Sequence, residues 1–499
     1  MKIPIDRQAV KPVYLQIRDR LRRLIQSGTF KTGDRLPSIR SLAKNAQVNK
    51  LTVIEAYSVL EADGLIYARP GSGYFVNSES PISTQAQSNF APLQEVIIPQ
   101  PKSTSQRDFS SGISCGTHRF FDIYQLSVQA KSQPGMIDFS SGFPIASGLQ
   151  DLQRHARRAM KQVTESLFNY DFPQGQLVLR QQIAKMLIQL GLEVSSDDLI
   201  VTNGSKQGLS LVMNYYLQAG DWIVTESPTY YGTLEIIENI GAKIIGIPMQ
   251  GSGMNLELLK QYLQSHRPKL IYTVSTLQNP TGITTTLQHR QQLLALAQEY
   301  DCLILEDNAY EGLNFEPVPP PIKSLDTSDS VIYTGTFSKT LMPGLRVGYL
   351  LATGKHYRPL LEQKLFHDLH VSTVSQAIVS EYLASGHHRR HLNHLQASNL
   401  NSRNAMLKAL ENNFPPEAAW TIPNGGLFLW VQLPTEISMM AIARQAWLEK
   451  VFIYPGMPFF PGQKGYNALR LNFSHTPEAI ERGITILGKS IKQSLAKTR

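Results

Sequence analysis

Six short apolar runs, at residues 198–202, 222–226, 243–248, 270–275, 302–306 and 331–337, alternate with segments of helical periodicity such as 205–218 and 287–300. Few folds accommodate that rhythm. Strands apolar on both sides must be covered on both faces, and a parallel neighbour is reached only through a crossover long enough to hold a helix. The pattern predicts a mostly parallel sheet flanked by helices. In such a sheet, ligands bind in the crevice beyond the carboxyl ends of the strands. Polar residues just past those ends are therefore the first candidates for function.

Three stand out. Asn279 follows the 270–275 run, in Asn279-Pro280-Thr281-Gly282. Asp307 closes the 302–306 run, in Glu306-Asp307-Asn308-Ala309-Tyr310. Lys339 follows the 331–337 run, in Ser338-Lys339-Thr340-Leu341-Met342-Pro343-Gly344-Leu345-Arg346. Their types match what pyridoxal phosphate requires. The cofactor withdraws electrons only if its pyridine nitrogen stays protonated, so a buried carboxylate must face it, and Asp307 is the candidate. The ring oxygen needs donors, which Asn279 and Tyr310 can supply. The phosphate dianion calls for a helix N-terminus and cations. Gly204-Ser205-Lys206-Gln207-Gly208 opens a helix directly after a strand, with Ser338 and Arg346 to add contacts. Tyr230, in Ser227-Pro228-Thr229-Tyr230, suits stacking on the ring. Lys339 would form the Schiff base, and neighbouring cations and burial would free its amine of a proton. Singly, each residue has an ordinary explanation: a surface Ser-Lys pair, a helix cap at Asp307, a structural ion pair at Arg470. Their joint order along the chain carries the reading.

With these motifs in this order, and with Arg470 in Leu469-Arg470-Leu471-Asn472-Phe473, the chain from about residue 135 onwards resembles the fold-type-I, aspartate aminotransferase-like enzymes. The resemblance implies catalytic roles for Lys339, Asp307, Tyr310 and Tyr230. It implies phosphate contacts from Ser205, Thr336, Ser338 and Arg346, and a carboxylate clamp at Arg470, a task suited to the guanidinium fork. Gly142 and Asn279 would lie near the substrate. Tyr170 resembles the tyrosine that reaches the neighbouring subunit's phosphate. Lys206 departs from the pattern, since many relatives carry glutamine there. No metal ligands are expected.

The first part of the chain is unrelated to such chemistry. Residues 1–77 hold 13 lysines and arginines against 6 aspartates and glutamates, a net +7 of the overall +9. That asymmetry fits a nucleic-acid binder, although a solvated basic surface explains charge alone equally well. Helical stripes at residues 12–26, 38–45 and 50–63 precede two strands, 65–68 and 73–76, around Arg69-Pro70-Gly71-Ser72. This order predicts a helix-turn-helix followed by a hairpin wing. Asn49, Lys50 and Thr52 open the third helix, where side chains reach base edges; Thr52 serves equally as a helix cap. Arg35, Ser38 and Arg40 are placed for the DNA backbone, and Arg69, Gly71 and Gly73 for the wing tip. Leu36-Pro37-Ser38-Ile39-Arg40, Leu60-Glu61-Ala62-Asp63-Gly64-Leu65-Ile66 and Gly71-Ser72-Gly73-Tyr74-Phe75-Val76 resemble the GntR-type winged helix-turn-helix.

The expected organisation is a DNA reader at 10–77, a Ser/Gln/Pro/Thr-rich linker at 78–118, and an α/β domain at 119–499 whose last part, from about 390, is a smaller α+β subdomain. A reader, linker and aminotransferase-like domain in this order resemble the MocR subfamily of transcription regulators. The resemblance implies that the large domain senses an amino compound or pyridoxal phosphate itself. It also implies a head-to-tail homodimer in which each reader packs on the partner's large domain and paired DNA half-sites are bound. An active aminotransferase carrying a DNA-binding domain is the alternative. Two cysteines, Cys115 and Cys302, no apolar run of membrane length and no apolar leader at the N-terminus point to the cytoplasm.

Overall fold

The computed structural model describes residues 5, 12–69, 72–77, 119–142, 144, 149–161, 165–463 and 465–498. The expected linker, together with Gly71 and Cys115, lies outside them.

The reader is built from α1 (Val13–Gln26), α2 (Ile39–Ala46), α3 (Lys50–Ala62), β1 (Ile66–Arg69) and β2 (Gly73–Val76). Ile17 and Leu21 of α1 pack against Val53, Ala56, Tyr57 and Leu60 of α3, all fully buried. The Tyr57 hydroxyl donates to the Pro37 carbonyl at 2.7 Å and ties α3 to the start of α2. Ser38 caps α2 by accepting from the Ser41 amide, and Asn49 caps α3 by accepting from the Leu51 amide. β1 and β2 pair antiparallel as the wing.

The large domain follows as α4 (Arg119–Ser132), β3 (Ile137–Asp138), α5 (Leu149–Lys161), α6 (Leu177–Gln189), β4 (Leu199–Thr202), α7 (Ser205–Tyr216), β5 (Trp222–Ser227), α8 (Tyr231–Ile240), β6 (Lys243–Gln250), β7 (Gly253–Met254), α9 (Leu256–His266), β8 (Leu270–Thr273), α10 (Leu287–Glu299), β9 (Leu303–Asn308), β10 (Val331–Thr336) and β11 (Gly348–Leu351). The central sheet has the order β4-β11-β10-β9-β8-β5-β6-β7. The run β10-β9-β8-β5-β6 is parallel throughout, as the apolar pattern predicts. The sequence reading did not foresee β11. It is four residues long and runs antiparallel between β10 and β4.

The chain then continues through α11 (Tyr357–Asp368), α12 (Thr373–Ala384), the 27-residue α13 (His387–Asn413), β12 (Ala419–Trp420), β13 (Phe428–Gln432), α14 (Met439–Leu448), β14 (Val451–Phe452), β15 (Ala468–Asn472) and α15 (Pro477–Thr498). β12, β13 and β15 form an antiparallel sheet backed by α13, α14 and α15. Ile137 and Phe139 are buried in the core of this C-terminal subdomain, and β3 pairs with β14. Residues far apart in the chain thus close it.

The reader rests on its own chain's large domain. Leu24 joins the apolar core that includes Ile183, Leu187 and Ile188 of α6. Lys185 of α6 pairs with Asp34 at 2.5 Å, Arg23 pairs with Glu193 at 2.6 Å, and the Ser196 hydroxyl donates to the Ser27 carbonyl at 3.3 Å. The resemblance implies packing on a partner's large domain; within this chain the reader instead meets its own α6.

Candidate functional site

The carboxyl ends of the parallel strands converge on one cavity of about 690 Å³. Lys339, three residues past β10, projects into it and donates from Nζ to the Gly142 carbonyl at 2.5 Å. Burial and the nearby Arg470 and Arg346 guanidiniums lower its pKa to about 8. Asp307, inside β9, lines the same cavity. Its Oδ2 accepts from the Tyr272 hydroxyl at 3.0 Å, whereas Oδ1 is buried without a partner among the described residues. Burial raises its pKa to about 6, so at neutral pH it is still mostly ionised.

Asn279 is held between two residues that also line the cavity. Its amide donates to the Tyr310 hydroxyl at 3.1 Å, and its carbonyl accepts from Arg470 Nη1 at 3.0 Å. Burial pushes the Tyr310 phenol well up, so it remains a donor. Tyr230 lies in the same wall and stays protonated for the same reason.

Arg470 projects from β15 of the small subdomain, almost fully buried. Its Nη2 donates to the Ser140 carbonyl at 2.6 Å, its guanidinium lies 4.2 Å from the Phe428 ring centroid, and its Nε has no partner among the described residues. A fork fixed by neutral acceptors and an aromatic face is prepared to take a carboxylate.

A second cluster sits at the start of α7. Ser205 and Lys206 open that helix beside Thr336, Ser338 and Arg346. The Thr336 hydroxyl donates to Ser338 Oγ at 3.1 Å, and Arg346 donates from Nη2 to the Asn203 carbonyl at 2.8 Å. Gly204 has φ +74°, and a Cβ there would stand 2.6 Å from Arg346 Nη2. Burial and Arg346 lower the Lys206 pKa. Helix-start amides, hydroxyls and cations in one place form an anion cradle.

These features fit pyridoxal phosphate. The cradle suits its phosphate, the unpartnered oxygen of Asp307 suits its ring nitrogen, and Lys339 lies within the same cavity.

Sequence reasoning missed two contributors. Tyr272 lies inside β8, where it reads as an ordinary apolar strand residue. Tyr124, Val128 and Lys131 of α4 form one wall of the cavity, and no motif marks them. Tyr170 does not line this cavity; it is 85% exposed and makes a T-shaped ring contact with His370.

In the reader, Arg35, Ser38, Arg40, Asn49, Lys50 and Arg69 are exposed. Arg69 stacks over Phe75 and donates to the Tyr67 hydroxyl at 2.9 Å. Gly73 takes φ +107° beside the Arg35 guanidinium. Thr52 lies in the first turn of α3, half-buried, while the cap is Asn49.

Fold and site together define a fold-type-I pyridoxal phosphate protein joined to a winged helix-turn-helix. Residues 134–487 match the family "Aminotransferase class I and II", and residues 13–76 match "Bacterial regulatory proteins, gntR family". The uncharacterized HTH-type transcriptional regulator YdfD of Bacillus subtilis is 31% identical over 99% of both chains. Aromatic-amino-acid aminotransferase 1 of Thermococcus litoralis is 37% identical over 69% of this chain and 83% of its own. The crystal structure of LysN, the alpha-aminoadipate aminotransferase of Thermus thermophilus complexed with N-(5'-phosphopyridoxyl)-L-leucine, superposes with a TM-score of 0.71 at 31% identity, covering 75% of this chain and 95% of that one. The chain belongs to the MocR-type regulators, a gntR-family DNA-binding domain fused to an aminotransferase class I and II domain, with pyridoxal phosphate as cofactor.

Proposed function

We propose that this protein is a transcriptional regulator that reads an amino compound, or pyridoxal phosphate itself, at Lys339 and passes the state of that cavity to the DNA reader. The observation that carries the coupling is the position of α4. The first described helix after the reader forms a wall of the cavity that holds Lys339.

Bound pyridoxal phosphate supplies a reactive aldehyde and an electron-withdrawing ring. The chain's residues prepare both. Lys339 holds a largely deprotonated Nζ above about pH 8. Asp307, ionised and oriented by Tyr272, would meet the ring nitrogen. Asn279 and Tyr310 would donate to the ring oxygen, Tyr230 would stack on the ring, and Ser205, Lys206, Thr336, Ser338 and Arg346 would hold the phosphate. Arg470 would take a carboxylate of the effector, with Gly142 and Asn279 beside it.

The active assembly is a cytoplasmic homodimer with head-to-tail subunits. Phe168, Tyr170 and Phe172 stand exposed on one loop, and Phe366 and Leu369 stand exposed nearby. The Thr373 hydroxyl donates to the Leu167 carbonyl at 2.5 Å and holds the two segments together. A second copy would cover this apolar face and place Tyr170 at the partner's phosphate.

Transamination is the second reading, favoured by a site in which Lys339, Asp307, Asn279, Tyr310 and Arg470 are all present and mutually arranged. Amino acids that convert the bound cofactor, seen as a shift of the visible absorption band with release of a 2-oxo acid, would establish it.

The regulatory reading is tested by spectroscopy and gel shift on one preparation. Wild type should show a visible band on loading and a salt-sensitive preference for its operator over random DNA. Lys339→Ala should lose the band and the effector response while still binding operator. Binding without preference over random DNA in wild type would refute the regulator.

A further inference from the structure

Among the described residues of the reader, Leu51 and Ile54 are the only large apolar side chains left exposed, at 69% and 39%. Spaced i, i+3 at the N-terminal end of α3, they share a face. That face lies opposite the one built from Val53, Ala56, Tyr57 and Leu60, which buries α3 in the core. A lone exposed apolar residue is ordinary. A pair at the start of the second helix of a helix-turn-helix sits on the part that enters the major groove.

The surroundings favour nucleic acid over a protein partner. Lys50, Glu55 and Ser58 flank the pair on α3, and Arg40 and Lys44 are exposed on α2. Protein-binding patches are depleted of charge at their centres. Two of the polar candidates for DNA contact are also committed elsewhere. Asn49 Oδ1 accepts from the Leu51 amide at 3.0 Å, and Ser38 Oγ accepts from the Ser41 amide at 3.2 Å. The apolar group that bases present in the major groove is the 5-methyl of thymine.

We propose that Leu51 and Ile54 read thymine 5-methyl groups, so that the half-site of this protein is selected partly by apolar contact. The inference rests on the reading of the N-terminal domain as a DNA reader. Lys50 would supply the neighbouring phosphate or guanine contact, and Glu55 can accept from a cytosine amine.

The test uses the full-length, cofactor-loaded protein. An operator is selected from a randomised duplex library, then prepared with thymine or with uracil, which differ only in that methyl. Wild type should bind the uracil operator about fourfold more weakly for each contacted methyl, the effect of one buried methylene-sized group. The double variant Leu51→Ser, Ile54→Ser should bind both operators alike, at about the wild-type uracil level. Both side chains are exposed, so its thermal melt should match wild type. If no operator is enriched, the DNA-reader reading falls and this inference with it. If an operator is enriched and wild type binds its thymine and uracil forms equally, this inference alone is overturned. A double variant that still discriminates against uracil overturns it too.

Discussion

Lys339 shows how single residues acquire chemistry from their surroundings. A free lysine holds its proton far above neutrality, but burial together with Arg470 and Arg346 brings this one to about 8. Asp307 opposes those effects and limits the drop. The neutral amine is the reactive form, so cofactor capture by cofactor-free protein should accelerate as pH rises and level off above about pH 8. Arg470→Met removes one of the cations, so the midpoint of that profile should move to higher pH; stopped-flow absorbance reads both curves. An unchanged midpoint would mean that Arg470 does not act on the amine. Asp307 and Asn279 were legible in the sequence because one closes an apolar run and the other follows one within a few residues, and both are of types such runs rarely carry, whereas Arg470 stood out only through the family resemblance. Tyr272 was not legible. Its hydroxyl points at Asp307 only because β8 and β9 are neighbours in register, with Tyr272 opposite Leu305.

At the scale of elements, the anion cradle depends on a close crossing of β11 and the start of α7. A Cβ on Gly348 would lie 2.6 Å from the Gly204 carbonyl carbon and 2.7 Å from the Ser205 amide nitrogen, both backbone atoms that cannot swing aside. Gly348→Ala should therefore destabilise the fold by about 1–3 kcal/mol, the usual cost of overpacking. It should also weaken binding of pyridoxal phosphate by displacing the helix start. Denaturant melts and a binding titration measure the two effects, and a variant as stable as wild type would show that this contact does not hold the helix. β11 itself was missed because four residues after a loop carry too little periodicity to signal a strand; pairing on both sides, with β10 and β4, makes it one. The reader's helices were legible from their apolar stripes. The exposed pair on α3 was not, since Leu51 and Ile54 look like core residues until the helix is oriented.

The whole molecule adds relations between distant parts. Arg180 of α6 is buried and donates to the Gly175 carbonyl at 3.1 Å and to the Ser196 carbonyl at 2.5 Å. Ser196 in turn donates to Ser27 of the reader. One helix thus joins the Tyr170 loop to the DNA-binding domain, and α4 joins the cavity to the start of the large domain. The homodimer is tested at this scale. Phe366 is 84% exposed in one subunit, so Phe366→Asp should leave the fold and its melting temperature intact while driving dimer to monomer in sedimentation velocity. A variant that stays dimeric would place the interface elsewhere.

The sequence by itself determined the two architectures and the cofactor. Alternating apolar runs admit little but a covered parallel sheet, and a carboxylate, an amide, a lysine and a glycine-led helix start fall at its strand ends in one order. Residue types and periodicity are local properties, and these conclusions need nothing more. Tertiary structure alone decided the remainder: Tyr272 behind Asp307, α4 as a wall of the cavity, Ile137 and Phe139 in the C-terminal core, Tyr170 turned outward, and the reader seated on α6. Each depends on which surfaces meet after long loops close, and loop closure leaves no periodic trace in a chain.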